Sequence, residues 1–471
     1  MPIGDTLGGF IRPGYNPLLV TDAPTIGTAT AGVALDVSIA FTAPSDVGGG
    51  AITSYEAVAT DTVTAASFTG TGSSSPVSVT GLTEGQSYTT TITAINAYGP
   101  SGISGASNSV TAQNLVGELW AWGYNNLGQV GDGTTTTRSS PVQVGALTTW
   151  SKMARGYRFA VFAKSDGTLW GVGDNGLGQL GQGNTTNYSS PVQVGALTDW
   201  SEPATGYGHA AIVKTDGTMW GMGWNNYGQL GDGSTTNRSS PVQVGSLTDW
   251  LQASAGFYSV MAVKTDGTLW GWGYNSSGRL GTNNTTDYSS PVQIGALTDW
   301  ASVACGNAFG AGIKTDGTLW TWGYNTDGTL AQGNVTNYSS PVQVGALTTW
   351  SKAAGGNKGA VFLKTDGTVW TVGYGEEGQL GDGNSGLSAS KSSPVQVGAL
   401  TTWSDISRGT QSAFALKTDG TLWGWGRGDL GVLGDGTTVD KSSPIQVGAL
   451  TTWKVLPGTM GNSPAASAIK S

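Results

Sequence analysis

Residues 201–250 read SEPATGYGHAAIVKTDGTMWGMGWNNYGQLGDGSTTNRSSPVQVGSLTDW, and the same phrases return along most of the chain. The tryptophan of the G-T-L-W phrase falls at Trp120, Trp170, Trp220, Trp270, Trp320, Trp370 and Trp423, in steps of 50 until a final step of 53. A second tryptophan, closing G-A-L-T-x-W, keeps pace at Trp150, Trp200, Trp250, Trp300, Trp350, Trp403 and Trp453. Periods of this size belong to solenoids, propellers or arrays. In the quoted copy, 201–206 leads into a short turn and 210–214 (AAIVK) has the apolar run of a buried strand. Asp216-Gly217 suits a two-residue hairpin with positive φ. Residues 218–223 (TMWGMG) form the return strand, with Trp220 and Met222 on one face and glycines between them. A glycine- and asparagine-rich loop then leads to a fourth short strand, 241–244 (PVQV). Four short strands with turn signals and no helical period make a sheet-only unit.

One such sheet cannot bury both faces, but a ring of them can, since each packs on the next. The expected fold class is therefore all-β, a seven-bladed β-propeller. Prolines at 141, 191, 241, 291, 341, 394 and 444 place PVQV on the rim, where a missing amide donor is tolerated. The ends of the array complement each other. The first copy begins at Glu118-Leu119-Trp120 without its opening strands, and the last stops after 465–470 (AASAIK). One blade should take its inner strands from the C-terminal end and its outer strands from 117–144.

Composition bounds the function. All 19 tryptophans lie between Trp120 and Trp453, so the first 116 residues follow another design. A formal charge of −9 gives no basis for phosphate-backbone contact, so no nucleic-acid partner is expected. A lone cysteine, Cys305, makes no intramolecular disulfide. The opening residues, MPIGDTLGGF, do not look like a secretory signal. No apolar run approaches the ~18 residues of a membrane span, so no insertion is expected.

The phrases G-T-L-W-x-W-G, N-x-x-G-Q-L-G-D-G and x-V-A-x-G, followed by a Lys-Thr-Asp-Gly turn, resemble the regulator of chromosome condensation repeat family over 117–471. The resemblance implies a seven-bladed propeller whose blades run inner, second, tryptophan and outer strand. Its founding member is an exchange factor for a small nuclear GTPase that docks on nucleosomes. That activity is not carried over: His209 alone matches the family's histidine, Cys305 alone its cysteine, and the acidic balance disfavours chromatin.

Upstream, Val33, Leu35, Val37, Ile39 and Phe41 alternate as a half-buried strand, and 88–96 (YTTTITAIN) alternates again. Residues 81–88 (GLTEGQSY) resemble a tyrosine corner, with Leu82 inward and Tyr88 pinning the turn. Together 24–113 resembles a fibronectin type III domain, though the usual early tryptophan is missing. The domain division is then 1–21 as an irregular N-terminal arm, 22–114 as the fibronectin-like β-sandwich, and 115–471 as the propeller. Within the arm, Phe10, Ile11, Tyr15, Leu18 and Leu19 are candidate anchor residues among two prolines.

Catalytic material is scarce, so the chain is read as no enzyme, with no cofactor and no metal. One histidine and no repeated carboxylate pair leave acid–base chemistry unsupported. No His/Cys cluster has ligand spacing. Asp166, Asp216, Asp266, Asp316, Asp366 and Asp419 are better turn formers than calcium ligands. Gly171, Gly173 and Gly176 spell a dinucleotide motif, but neither helix nor crossover follows.

The copies disagree mainly at the tip between the two inner strands, and aromatics concentrate in the first four tips. Candidate binding residues are Tyr157, Arg158, Phe159, Tyr207, His209, Phe257, Tyr258 and Phe309, for a protein or glycan partner. The inserted stretch 384–391 (NSGLSASK) adds a surface loop. Module order and the missing signal resemble phage virion structural proteins. The expectation is a non-enzymatic fibre, appendage or capsid decoration, located in the virion after assembly in host cytoplasm. It would join other virion proteins through its arm and present the propeller to a host-surface protein or glycan. Homo-oligomerisation stays open. The competing reading is a propeller on a bacterial cell surface, or secreted, that binds or inhibits a partner protein.

Overall fold

The computed structural model describes residues 20–32, 35–83, 85–113, 115–457 and 463–471. The chain divides into two compact units, Met1–Leu115 and Val116–Ser471.

In the second unit the specimen repeat makes one antiparallel sheet, with strands Trp200–Thr205, His209–Lys214, Met219–Gly223 and Arg238–Gln243 in that order. Contiguous four-stranded sheets of the same order begin at Trp150, Trp200, Trp250, Trp300, Trp350 and Trp403. A further sheet joins the two ends of the array, in the order Arg138–Gln143, Glu118–Gly123, Ala465–Lys470, Trp453–Val455. Its central pairing sets Ala468 opposite Trp120. The first strands of successive sheets touch one another, which places them innermost in a propeller of repeated sheets.

The core lies between sheets. Val213, Met219 and Val244 of one sheet meet Trp250, Val260, Ala262 and Trp272 of the next. Several indoles also tie neighbours together: Trp272 Nε1 donates to the Gln229 carbonyl at 3.1 Å and Trp322 Nε1 to Arg279 at 2.9 Å. Gly281 explains itself here, since its φ is +78° and a Cβ would stand 2.9 Å from Trp322 Nε1. The G-T-L-W tryptophans pack against this core without being fully enclosed by it. Trp220 is half-buried, set edge-on to Trp200 at 6.1 Å, with the Lys214 ammonium over its ring at 4.5 Å. Its strand is buried at Met219, Gly221 and Met222 instead.

The Asp-Gly turn is also corrected. Lys214 and Thr218 close a three-residue loop, where Gly217 N donates to Lys214 O at 3.0 Å and Gly217 has φ +76°. Only the glycine takes the left-handed conformation, and the aspartate acts by accepting. Asp216 Oδ1 receives the Thr218 amide at 2.9 Å and the Thr218 hydroxyl at 2.6 Å. That hydroxyl bond, more than any other cause, holds the Asp216 carboxyl below the usual range. The outer strand starts three residues earlier than PVQV suggests, at Arg238. Pro241 falls in the register shift between Gly221 and Gly223, a bulge on an edge strand, so no ladder bond is lost.

The N-x-x-G-Q-L-G phrase is a loop folded on its own side chains. Asn225 is buried, accepts the Leu230 amide at 2.9 Å, and donates to the Ser234 and Thr236 carbonyls at 3.1 Å.

The first unit holds two sheets around one core. Thr25–Ala31, Val37–Thr42 and Val77–Val79 form one. Ser67–Gly72, Ile52–Asp61, Ser87–Asn96 and Gly99–Pro100 form the other, with Val110–Thr111 also on Ser87–Asn96. Val37, Ile39, Tyr55, Val79, Leu82, Tyr88 and Ile92 are buried together. Thr83 N donates to Tyr88 Oη at 3.0 Å. The expected strand from Val33 starts only at Val37, because Leu35 has φ +59°, outside extended geometry. Val33 lies outside the described residues.

Candidate functional site

The tips between first and second strands are short, and backbone hydrogen bonds link three pairs of neighbouring tips. Gly206 N donates to His209 O at 2.9 Å, closing the tip at Tyr207-Gly208. Tyr207 N donates to Phe257 O at 3.3 Å, Asn307 N to Gly356 O at 2.9 Å, and Asn357 N to Thr410 O at 3.3 Å. The loop after the third strand joins the same face, since Trp224 N donates to Gly208 O at 2.8 Å and Tyr274 N to Tyr258 O at 3.0 Å.

This framework brings half-buried aromatic side chains of successive sheets into one run. Tyr157 stacks on Tyr207 at 4.6 Å, and Tyr207 stacks on Phe257 at 4.2 Å. Tyr258 continues the run edge-on to Phe257 at 4.3 Å and to Trp224 at 5.0 Å. Tyr227 then bridges Tyr258 at 5.1 Å and Tyr274 at 4.6 Å. Guanidinium groups cover both ends: Arg158 over Tyr157 at 4.9 Å and Arg279 over Tyr274 at 4.7 Å. Burial in this apolar company raises the phenol pKa of Tyr207 and of Tyr258.

The remaining tips are polar. Asn307 Nδ2 donates to Asn357 Oδ1 at 2.6 Å, and Arg427 pairs with Asp429 at 2.7 Å and Glu377 at 3.8 Å. One face thus carries an aromatic side and a charged side.

Of the expected binding residues, Tyr157, Arg158, Tyr207, Phe257 and Tyr258 meet on this face. Phe159, His209 and Phe309 do not. Each opens a second strand, so its side chain turns in between sheets and is buried. Burial pushes the His209 imidazole down to about 4, which keeps it neutral. Cys305 is buried too, donates to Ser254 O at 3.0 Å, and has its thiol pushed up to about 12 by burial. Trp224, Tyr227, Tyr274 and Arg279 were not singled out by sequence. Their signal was present, because the copies also disagree at these positions: Tyr124, Asp174, Trp224 and Tyr274 are one series. Phe10, Ile11, Tyr15, Leu18 and Leu19 lie outside the described residues. The inserted loop is exposed at Leu387 and tucks Ala389 inward.

Among the described residues no group of three His, Cys, Asp or Glu could hold a metal ion. No helix among them is long and apolar enough to cross a membrane.

A family model described as the RCC1-like domain matches residues 101–352. The regulator of chromosome condensation (RCC1) repeat matches 366–416 and 419–456. Human WBSCR16 has a similar structure, with TM-score 0.67 and 20% identity over 75% of this chain and 98% of that one. Yeast RCC1 (Prp20), solved with Kap60 bound, gives TM-score 0.67 and 16% identity over 76% of this chain and 89% of its own. Prp20p from Saccharomyces cerevisiae, described with its binding to Gsp1p and histones, gives 0.66 and 16% over 76% and 92%. At these identities the structures show a shared fold. No curated protein matches the chain. The expected virion location, and the bacterial surface held beside it, are corrected by these neighbours, which are human and yeast proteins.

Proposed function

We infer, for a chain that belongs to the RCC1-like domain family, that its propeller is a non-enzymatic protein-binding module. We place the contact on the face built from Tyr157, Tyr207, Phe257 and Tyr258. One observation carries this reading: aromatics from successive sheets form a continuous half-exposed run on one face, whereas the tips of later sheets are polar. Aromatic side chains with few rotatable bonds give large contact area at small entropic cost. The yeast relative's described partners, Kap60, Gsp1p and histones, are proteins. A net charge of −9 gives no basis for contact with a nucleic-acid phosphate backbone, so the partner is sought among proteins.

Seven blades are supported by the six contiguous sheets and the composite one. A fibronectin type III identity for 22–114 is supported by two sheets sharing a core and by the Thr83–Tyr88 corner. In this reading it is a spacer before the propeller at 115–471.

The test uses the full chain and a Tyr157→Ala, Phe257→Ala, Tyr258→Ala variant as paired baits in quantitative affinity capture. Proteins enriched at least ~10-fold on the wild type are expected, a loss of about 1.4 kcal/mol in affinity. Identical capture by the folded variant would remove this face from the function.

A further inference from the structure

We propose that a cavity between two propeller sheets binds a small organic carboxylate with a compact apolar body, and that Lys364 is its counter-ion. The cavity has a volume of about 410 Å³, a size usual for small-molecule sites. It lies between the sheet ending in Tyr338–Gln343 and the sheet opening at Trp350.

The repeats supply the argument. In three copies a buried lysine rests over two indoles and also meets the aspartate just before the inner-strand tryptophan. Lys214 lies 3.3 Å from Asp199, Lys264 3.4 Å from Asp249, and Lys314 3.3 Å from Asp299. Lys364 keeps the indoles, with its ammonium 4.0 Å from the Trp370 centroid and 4.9 Å from that of Trp350. Thr349 stands where the aspartate would be, and among the described residues no carboxylate pairs with Lys364. Its exposure is nevertheless only 9%, like that of its paired sisters. Lys164 and Lys417 also follow threonines, Thr149 and Thr402, but both are more open to water.

A cation withdrawn from water without a close ion-pair partner is costly, and the indole faces and the more distant Asp366 carboxylate offset only part of that cost. Lys364 lines the cavity, so a ligand carboxylate can restore there the ion pair that the sister copies make internally. Val344, Leu347 and Pro394 join the two indoles as apolar walls, and Ser393 adds a hydroxyl. One cation among apolar walls matches a monoanion on an aromatic or branched body better than a phosphate dianion.

The test titrates the full chain with 3-phenylpropionate, its amide, and phenyl phosphate, followed by calorimetry. Saturable binding of the carboxylate is expected, with the amide weaker by at least ~10-fold. Thr349→Asp supplies an internal partner, so it should abolish binding while leaving the melting temperature at or above that of the wild type. Lys364→Met should abolish binding as well. Equal binding of acid and amide, undiminished binding to folded Thr349→Asp, or tighter binding of phenyl phosphate would each overturn the proposal. So would the absence of saturable binding to wild type at millimolar concentrations.

Discussion

Tyr207 lies face to face with Phe257, ring centroids 4.2 Å apart and planes 24° from parallel, although the two belong to successive repeats. The Tyr207 amide donates to the Phe257 carbonyl across the same gap, so backbone and side chain both join the two tips. Tyr207→Ala removes two stacks at once and should destabilise the propeller by about 1–2 kcal/mol. Tyr324→Ala, on the polar side and exposed, should cost less. Urea midpoints of the two variants decide it, and equal midpoints would mean that the stacks contribute nothing to stability.

Buried indoles should differ by partner. Trp322→Phe strips a donor from the Arg279 carbonyl and should cost about 1–3 kcal/mol beyond its packing loss. Among the described residues the buried Trp425 Nε1 has no hydrogen-bond partner, so Trp425→Phe should be milder. Thermal melts of both variants would show the order, and a reversed order would contradict the role given to these hydrogen bonds.

The chain's one histidine gives a clean pH test. Unfolded, its imidazole protonates near pH 6.5; folded, burial lowers the pKa to about 4. Between those values the unfolded chain binds more protons, so stability is full above 6.5 and falls as pH drops toward 4. The loss is of order 3 kcal/mol at most. His209→Ser, the residue found at Ser259 and Ser412, should flatten that slope. Denaturation midpoints at pH 7 and pH 5 measure it; an unchanged slope would show that His209 is not its source.

Cys305 should ignore a thiol reagent in the native protein and react fully in denaturant, since the thiolate is both buried and disfavoured. Rapid labelling of the folded chain would require local opening around Ser254.

The repeat made the sheets legible, because a fifty-residue period of strand and turn signals has few other solutions. It also led to Tyr157, Tyr207, Phe257 and Tyr258, where the copies disagree. It misplaced Phe159, His209 and Phe309 because variability alone does not tell direction. One position past the tip the chain is already in a strand, and the side chain turns between sheets. Trp224, Tyr227 and Tyr274 were hidden for the opposite reason, embedded in a phrase whose neighbours scarcely change. The Asp-Gly turn failed on loop length, since the pair is found in two- and three-residue hairpins alike.

The sheet shared by Glu118–Gly123 and Ala465–Lys470 imposes an order on biosynthesis. A ribosome makes Glu118–Gly123 first among the propeller strands, yet its partner only after every other sheet has been translated. Until then the strand of Trp120 and Trp122 is paired on one side only, by Arg138–Gln143, and the growing chain is an open arc with two unprotected ends. Nascent propellers of this design are therefore exposed to pairing with one another for almost the whole of their synthesis.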